Sequence, residues 1–515
     1  MGSVINTNMA SLNAQRNLST SASALTTSLQ RLSSGLRINS AKDDAAGMAI
    51  SSRMTAQING LNQAARNAND GISLAQTAEG SQNAISDSLQ RMRELAVQAA
   101  NGSNSASDRA SMQSEMSQLQ QEINRVASTT QFNGQNVLDG SINNAQFQVG
   151  ANANQTINFS IASAHGTAIG NNAIAATNNG VMVNAKAGTG TAGTAADIIA
   201  NNVVAGTLTI QGNGQSSGAL TVAVGASAKA VADTVNTASG TTGVSASATT
   251  TATLANFGNT GTVSLILRAA PTSSGAANPV TVTAQVNSST DLSALTKAIN
   301  DQQGLTGISA VADLTLGKIA LTQAQGYDIG VVNLGVVGAG ATGVTVTGLP
   351  VSGGGTGTAV ALTANGVAAD AVTVGGAVSL SSASSFTATA SAAGVLAATT
   401  ATSSALNSVA SIDVTTMTNG SPTGANSALA IIDSALANIN SSRANLGALQ
   451  NRFSSAVTNM QTTAENLTAS RSRIQDADFA AETAAMTRGQ ILQQAGTAIL
   501  AQANSLPNSV LSLLK

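Results

Sequence analysis

The chain of 515 residues is long enough for several domains, but it contains no cysteine, no tryptophan, one histidine (His165) and one tyrosine (Tyr327). Disulfides, thiolate ligands and a zinc site built on two histidines are therefore excluded, and most residue types of catalytic and metal sites are missing. The net charge of −2 offers no basic surface that could neutralise nucleic acid.

The first segment, residues 1–40, predicts a helix with a single apolar stripe. Its leucines step by four and three in a coiled-coil pattern, and the predicted seam is Leu18, Leu25, Leu29, Leu32 and Leu36. Residues 1–10 lack the basic and then apolar layout of a cleaved secretory signal. No run of eighteen apolar residues occurs, so no membrane span is predicted. The stripe therefore needs a protein partner.

Two further helices are predicted before residue 130. Ser40 and Asp43 read as a capping box that starts a long helix, which continues to about Ala100 through Gly71. A second capping box at Ser105 and Asp108 starts a shorter helix that ends near residue 128. Alternating apolar residues from 147 to 161 then predict a β-hairpin.

The middle of the chain is rich in Ala, Gly, Thr, Ser and Val and poor in charge, and short alternating runs within it predict mainly β structure. It contains a repeat at a constant offset of 64 residues. Asn236 matches Asn300, and the dipeptide at 245–246 recurs at 309–310. Each copy predicts a short helix followed by a glycine-bounded strand, which indicates two similar small α+β modules.

A strict seven-residue repeat follows from residue 426. It consists of Ile432, Ile439, Leu446, Phe453, Met460, Leu467 and Ile474. Such a repeat predicts a left-handed supercoil on neighbouring helices, and the two N-terminal helices at 43–100 and 105–128 are the natural neighbours.

The last segment, residues 479–515, is again a helix with one apolar stripe and nothing of its own to pack against. Its seam is Leu492, Ile499, Leu506 and Leu513. The N-terminal segment mirrors this pattern. We expect the two ends of the chain to pair with each other and with other copies, and to stay disordered until copies meet, because one isolated seam buries too little to offset its ordering cost.

Helix capping explains the remaining candidates for chemistry. Asp43 and Asp44, like Asp476 and Asp478, are close carboxylate pairs, but each pair stands where a helix is predicted to begin. No glycine-rich stretch carries the Lys-Ser/Thr sequence of a phosphate loop. We predict no catalytic, metal or cofactor site and a protein that is not an enzyme.

Three motifs resemble the bacterial flagellins. Residues 32–47 read LSSGLRINSAKDDAAG, residues 131–134 read QFNG, and residues 473–480 read RIQDADFA. The similarity covers about residues 1–160 and 426–515. The 64-residue repeats resemble the inserted-repeat motif of the same family.

The resemblance implies a structural subunit of the flagellar filament for swimming motility, exported through the flagellum's own type III channel. It implies long terminal helices packed together as a coiled-coil bundle, a mainly β insertion on the filament surface, and an extracellular location without a cleaved signal. The implied partners are other copies of the chain, the flagellar cap and hook-associated proteins, and an export chaperone at the C-terminal region.

A receptor patch is also carried over from the resemblance. Residues 89–95 read LQRMREL, which is similar to the flagellin segment seen by a vertebrate Toll-like receptor. Arg91, Leu95 and Glu115 are the candidate recognition residues. An ion pair on a solvated face also explains Arg91 and Glu115.

The predicted fold is a multidomain α+β protein in five parts. They are an N-terminal assembly helix at 1–40 paired with 479–515, the first half of a helical core with a β-hairpin at 41–165, a β-rich insertion at 166–425 with repeats at about 205–270 and 279–335, a core helix at 426–478, and the C-terminal assembly helix at 479–515. Two alternatives stay open, a hook–filament junction protein and an adhesive function of the insertion.

Overall fold

The computed structural model divides the chain into two compact units. The first comprises Met1–Gln76, Asn144–Phe159 and Gly447–Lys515, and the second comprises Thr77–Asn143 and Ser160–Leu446. The structure describes residues 7–174, 182–188, 199–257, 261–270, 279–313, 316–337, 344–349, 357–362, 371–392, 395–396, 400–417 and 422–512.

The helices at both ends of the chain are long, and the helices in its middle are short. They are α1 Met9–Ser34, α2 Ala45–Ala99, α3 Ala106–Thr129, α4 Ala228–Thr237, α5 Ser239–Thr242, α6 Ser293–Asp301, α7 Gln303–Thr306, α8 Thr423–Gln475 and α9 Phe479–Ser512. α2 runs through Gly71 without a break, as the unbroken apolar phase predicts. Long terminal helices with a strand-rich insertion between them confirm the predicted α+β class.

The strands lie between α3 and α8. They are β1 Gln131–Phe132, β2 Gln135–Asn136, β3 Ala145–Gln148, β4 Thr156–Phe159, β5 Gly170–Ile174, β6 Ala185–Ala187, β7 Gly206–Gly212, β8 Gln215–Ser216, β9 Leu220–Val222, β10 Ser245–Ala255, β11 Gly261–Ala270, β12 Val280–Val286, β13 Ile308–Asp313, β14 Lys318–Gln323, β15 Asp328–Val337, β16 Thr345–Leu349, β17 Ala359–Ala361, β18 Ala371–Val374, β19 Ala377–Ser382, β20 Phe386–Ala390, β21 Thr402–Ser403 and β22 Ala405–Ser408.

Among the described residues, the strands form three larger antiparallel sheets and two hairpins. One sheet has the order β13-β14-β10-β19-β5-β22, with β16 on β10 and β17 on β16. The second has the order β12-β11-β15-β18-β6, and the third has β21-β20-β7-β8 with β9 on β7. The hairpins are β1-β2 and β3-β4, and the second one is the hairpin predicted near residues 147–161.

The start of α2 differs from the prediction. The helix begins at Ala45, and Asp44 caps it by accepting a hydrogen bond at Oδ1 from the Gly47 N–H at 2.8 Å. Asp43 instead accepts from the Ser40 N–H at 2.8 Å in the preceding turn, and bonds from Ser40 and then Asn39 lower the pKa of Asp43. The prediction that Ser40 and Asp43 cap this helix is therefore wrong, and the helix begins one turn later. Asp43 and Asp44 are adjacent, and the sequence alone does not show which of them caps the helix.

The start of α3 follows the prediction. The Ser105 hydroxyl accepts from the Asp108 N–H at 3.1 Å, and the Asp108 carboxylate accepts from the Ser105 N–H at 2.9 Å. This reciprocal arrangement is a capping box, and it satisfies two free donors of the helix end. Hydrogen bonds from Ser105 lower the pKa of the Asp108 carboxyl.

An aromatic cluster joins α2, α8 and the β3-β4 hairpin inside the first unit. Phe147 and Phe159 project from the hairpin onto Phe453 of α8, with ring centroids 5.6 and 6.4 Å from that of Phe453. Gly71 of α2 faces the Phe453 ring, since a Cβ built on Gly71 would be 2.8 Å from Phe453 Cζ. The glycine within the long helix therefore makes room for the fully buried Phe453 ring.

Polar contacts align α2 with α8 in the second unit. Gln82 Nε2 donates to Ser442 Oγ at 2.8 Å, and Arg93 Nε donates to Asp433 Oδ1 at 2.6 Å. Gln82 is buried in this contact, while the Arg93–Asp433 pair is half exposed. The buried bond fixes the helix register more than the exposed ion pair, which solvent screens.

The insertion begins and ends next to α3. Gly166 donates its N–H to Asn124 Oδ1 at 2.9 Å where the chain departs, and Gln120 Nε2 donates to the Val409 carbonyl at 2.7 Å where it returns. Gln113 Oε1 accepts from the Val414 N–H at 2.9 Å. The amide side chains of one face of α3 therefore hold both ends of the insertion.

Among the described residues, two larger hydrophobic cores lie in the insertion, and each contains the longer helix of one copy of the repeat. Val231 and Val235 of α4 lie in one core, and Leu295 and Ile299 of α6, at an offset of 64, lie in the other. Each helix is followed by a short helix that ends at a glycine with positive φ, Gly243 or Gly307, and then by a strand, β10 or β13. Both copies fold as the predicted helix and glycine-bounded strand.

A buried carboxyl links separate segments of the insertion. Asn201 Nδ2 donates to both oxygens of Asp328 at 3.1 and 2.9 Å and to the Ala226 carbonyl at 2.9 Å. Burial raises the pKa of Asp328 to about 7, although the hydrogen bond from Asn201 acts in the opposite direction. Asp328 is therefore largely protonated in mildly acidic solution.

Replacement of Gly71 tests the aromatic cluster. We expect Gly71→Ala to destabilise the chain by about 1–3 kcal/mol, because the new methyl group meets the Phe453 ring, even though alanine favours a helix by about 1 kcal/mol. Gly80→Ala in the same helix is the matched control, since no atom lies within 4 Å of its Cβ position, and it should stabilise. Urea unfolding followed by far-ultraviolet circular dichroism compares the two; equal shifts would contradict the packing argument.

The titration of Asp328 gives a second prediction. From about pH 4 to about pH 7 the folded chain holds one more proton here than the unfolded chain, whose Asp ionises near 3.8. The free energy of unfolding should therefore fall as the pH rises, by roughly 4 kcal/mol across that range.

Asp328→Asn should remove this pH dependence and stabilise the insertion above pH 7. The neighbouring Tyr327 is the only tyrosine of a chain without tryptophan, so intrinsic fluorescence during urea unfolding reports on this location. Identical pH profiles for the two proteins would show that Asp328 does not titrate as described.

Candidate assembly surface

α1 and α9 pack against each other as an antiparallel pair within the first unit. Asn8 Nδ2 donates to the Ala503 carbonyl at 2.8 Å near one end of the pair. Arg31 Nη1 lies 3.9 Å from Glu482 Oε2 near the other end. The sum of the two residue numbers is nearly the same in both contacts, as expected for two antiparallel helices. The register is therefore constant along the pair.

Leucines of α1 pack on glycines of α9 in the middle of this pair. A Cβ built on Gly496 would lie 3.1 Å from Leu18 Cδ1, and one built on Gly489 would lie 3.4 Å from Leu25 Cβ. Ala503 is also buried, so three α9 residues that face α1 at a spacing of seven have small side chains or none. A leucine opposite a glycine lets two helix axes approach closely while the leucine fills the space between them.

The predicted stripe of α9 lies on another face. Leu492 is 51% exposed and Ile499 is 60% exposed, so neither is buried against α1. Gly489 and Gly496 are not part of the predicted stripe, because glycine carries no hydrophobic signal. Their spacing of seven residues, continued by Ala503, is the signal that could have identified them.

The predicted seam of α1 is divided. Leu18, Leu25 and Leu32 are half-buried, whereas Leu29 is 47% exposed. Leu36 lies beyond the helix end and forms an isolated β-bridge with Asp476. On the α9 side, Leu506 lies within the helix and Leu513 lies outside the described residues.

Large apolar residues on several sides of the pair therefore remain exposed. These residues combine a large apolar side chain with at least two fifths exposure; they are Met9, Leu12, Leu29, Phe479, Ile491, Leu492 and Ile499, and we name them the exposed α1/α9 surface. Monomeric soluble proteins seldom leave so many large apolar side chains exposed along one pair of helices.

The two motifs at residues 32–47 and 473–480 meet at the base of this pair. The Arg37 N–H donates to the Gln475 carbonyl at 2.7 Å, and its Nη2 donates to the Ile474 carbonyl at 2.6 Å. The Ala477 N–H donates to the Gly35 carbonyl at 2.9 Å, and Gly35 has a φ of +71°, which favours glycine. Main-chain bonds thus join the end of α1 to the turn between α8 and α9.

The seven-residue repeat of α8 is mostly buried. Five of its members have at most 5% exposure, namely Ile432, Ile439, Leu446, Phe453 and Met460, and two are half-buried, Leu467 and Ile474. The burial of a large side chain stabilises by about 1.5–3 kcal/mol. The half-buried members are the two nearest the end of the helix.

The predicted receptor residues differ in accessibility. Arg91 Nε donates to Glu115 Oε1 at 2.8 Å, and its Nη1 donates to Glu94 Oε2 at 2.9 Å. These bonds raise the pKa of the Arg91 guanidinium, which stays charged. Leu95 is only 2% exposed, so it packs in the interior while Arg91 and Glu115 form a solvent-facing pair.

Arg109, which the sequence analysis did not single out, holds the turn between α2 and α3. Its guanidinium donates from Nη1 to the Asn104 carbonyl at 2.8 Å, from Nε to the Ala99 carbonyl at 3.2 Å and from Nη2 to the Asn101 carbonyl at 3.3 Å. The side chain is buried. The bond to Ala99 satisfies a carbonyl group at the end of α2, and the other two bonds bind carbonyl groups of the loop that follows.

Other kinds of site find no support in the part of the chain that the structure describes. The described residues contain no group of three or more His, Cys, Asp or Glu side chains placed to hold a metal ion. Among them, no helix combines the length and hydrophobicity that a membrane crossing requires.

Sequence profiles match both helical ends of the chain. The profile described as bacterial flagellin N-terminal helical region matches residues 5–143, and that described as bacterial flagellin C-terminal helical region matches residues 429–514. These ranges include the α1–α9 pair and the five buried members of the α8 repeat.

Solved structures show weaker similarity. FliC from Burkholderia pseudomallei is 21% identical, with 74% of this chain and 99% of that chain covered and a TM-score of 0.29. The flagellar junction protein FlgL from Legionella pneumophila is 15% identical, with 83% and 99% covered and a TM-score of 0.30. TM-scores this low carry no further argument.

Full-length relatives are much more similar. The chain is 42% identical to B-type flagellin of Pseudomonas aeruginosa and 38% identical to flagellin of Salmonella typhimurium, with 100% of each chain covered. It is 33% identical to flagellin B of Vibrio cholerae, with 99% of each chain covered. Identity at this level over the whole length shows that the chain belongs to the bacterial flagellin family.

Proposed function

We propose that the chain is a structural subunit that polymerises through α1 and α9 into the flagellar filament for swimming motility. The observation that carries the proposal is the exposed α1/α9 surface, which remains after α1 and α9 have packed on each other. Neighbouring copies would cover these side chains, and the hydrophobic effect would drive association.

Leu492 and Ile499 are central to this proposal. Each has at least half of its surface free, so its burial by a neighbour would contribute roughly 1–2 kcal/mol. Leu506 and Leu513 continue the same spacing of seven residues. We include both in the assembly surface, as we do Leu18, Leu25, Leu29, Leu32 and Leu36 of the N-terminal segment, which hold or flank the pair.

The proposal includes a route and a set of partners. The chain would be exported to the outside of the cell, with a chaperone at its C-terminal region, and would add to the filament beneath a cap. Hook-associated proteins would be its neighbours at the base. The names of full-length flagellin relatives support the filament, and we do not propose a role as a junction protein.

Substitution on the exposed face tests polymerisation. We expect Leu492→Ser combined with Ile499→Ser to raise the monomer concentration needed for filament growth by roughly tenfold or more, because both apolar contacts between copies are lost. Sedimentation and electron microscopy of polymerised monomer measure this.

Gln490→Ser combined with Gln494→Ser is the control, because it changes two exposed polar residues of the same helix and should leave growth unchanged. The circular dichroism of both monomers should match that of the parent chain. Normal filament growth by the Leu492/Ile499 variant would refute the proposed surface.

A receptor contact at Arg91 and Glu115 is a further part of the proposal, supported by the LQRMREL motif and by the exposure of this pair. We expect Arg91→Ala and Glu115→Ala each to reduce activation of the vertebrate Toll-like receptor by roughly tenfold without loss of thermal stability.

Leu95→Ala should differ, since Leu95 is buried and its truncation should cost about 2–5 kcal/mol of stability. Receptor-reporter cells and thermal unfolding together separate the two effects. Full activation by the Arg91 and Glu115 variants would reject the contact.

A further inference from the structure

Each copy of the 64-residue repeat contains an asparagine that binds one residue of the following strand through the main chain. Asn236 Oδ1 accepts from the Ala246 N–H at 2.8 Å, and its Nδ2 donates to the Ala246 carbonyl at 3.0 Å. Asn300 makes the same two bonds with Ala310, at 2.7 and 2.9 Å. The amide thus imitates one residue of a neighbouring strand.

A threonine adds a second bond on the same edge. Thr242 Oγ1 accepts from the Val244 N–H at 3.3 Å, and Thr306 Oγ1 accepts from the Ile308 N–H at 3.2 Å. In an antiparallel strand, alternate residues direct their main-chain groups to the same side. The threonine and the asparagine therefore satisfy successive outward-facing N–H groups of each strand.

The two strands occupy different places in their sheet. β10 is an interior strand, with β19 on one side of Ala246 and β14 joining the opposite edge a few residues later, at Thr250. β13 is at the end of the strand order and pairs with β14 on one side only. Among the described residues no strand covers its outer edge, where Asn300 lies.

Exposed apolar side chains occur in β13 and in the segments directly before and after it in the chain. Leu305 is 72% exposed, Val311 is 39% exposed and Leu316 is 63% exposed. The residues at the matching positions of the first copy are Thr241, Ser247 and the buried Ala252. Only the second copy therefore combines a free strand edge with exposed apolar residues, which is the combination that recruits additional strands.

We propose that Asn300 prevents a second copy of the chain from adding a strand to the outer edge of β13. Asn236, in contrast, only stabilises its own repeat. A second copy is the relevant partner because two identical edge strands can pair antiparallel about a twofold axis. The bound amide occupies the main-chain groups that such a strand would need.

Amide hydrogen exchange on the heat-dissociated full chain tests this role. In dilute Asn300→Ala, exchange of the Ala310 N–H should accelerate by about tenfold or more, because its acceptor is lost. At high concentration the exchange should slow again as a second β13 pairs with it, and light scattering should detect dimers. Asn236→Ala should accelerate exchange at Ala246 at every concentration and remain monomeric.

A rescue variant separates edge pairing from general unfolding. Val311→Lys added to Asn300→Ala should restore the monomer, since a lysine on an edge strand opposes pairing, while the Ala310 N–H should stay fast in dilute solution. If Asn300→Ala loses its circular dichroism signal, Asn300→Leu, which has a similar volume but offers no acceptor to the Ala310 N–H, takes its place. Fast exchange at Ala310 without dimers, or dimers of both asparagine variants, would overturn the proposal.

Discussion

The packing of leucine on glycine between α1 and α9 determines which apolar side chains of α9 stay exposed to other molecules. Leu18 and Leu25 contact Gly496 and Gly489, so the α9 face with the least side chain is the one turned inward. The larger side chains Leu492 and Ile499 are consequently left outside. A chain that buried these two internally would leave less apolar surface for association with copies of itself.

The same relation between large and small side chains recurs in the helical core. Phe453 occupies the space that Gly71 leaves, and two phenylalanines of the β3-β4 hairpin close over it. A chain with so few aromatic residues thus concentrates three of its seven phenylalanines at one contact. Glycines inside long helices cost about 1 kcal/mol each in helix propensity, and here close packing offsets that cost.

Amide side chains join separate segments of the insertion. Asn201, Asn236 and Asn300 each bind main-chain or carboxyl groups of a different segment. Two ion pairs of the insertion, Lys229–Asp233 and Lys297–Asp301, each lie within a single helix. A neutral amide both donates and accepts, so it can satisfy a strand edge without the desolvation cost of a buried charge.

The sequence by itself determined the helical ends, the capping box at Ser105, the burial pattern of the α8 repeat and the two similar modules, because each depends on residues close together in the chain or on a fixed period. Tertiary structure decided which seven-residue series of α9 faces α1, because a glycine has no apolar side chain and does not contribute to a hydrophobic pattern. It also decided the choice of Asp44 as the helix cap and the contact of Asn201 with Asp328, 127 positions away. Local propensity carries no information about such distant or competing partners.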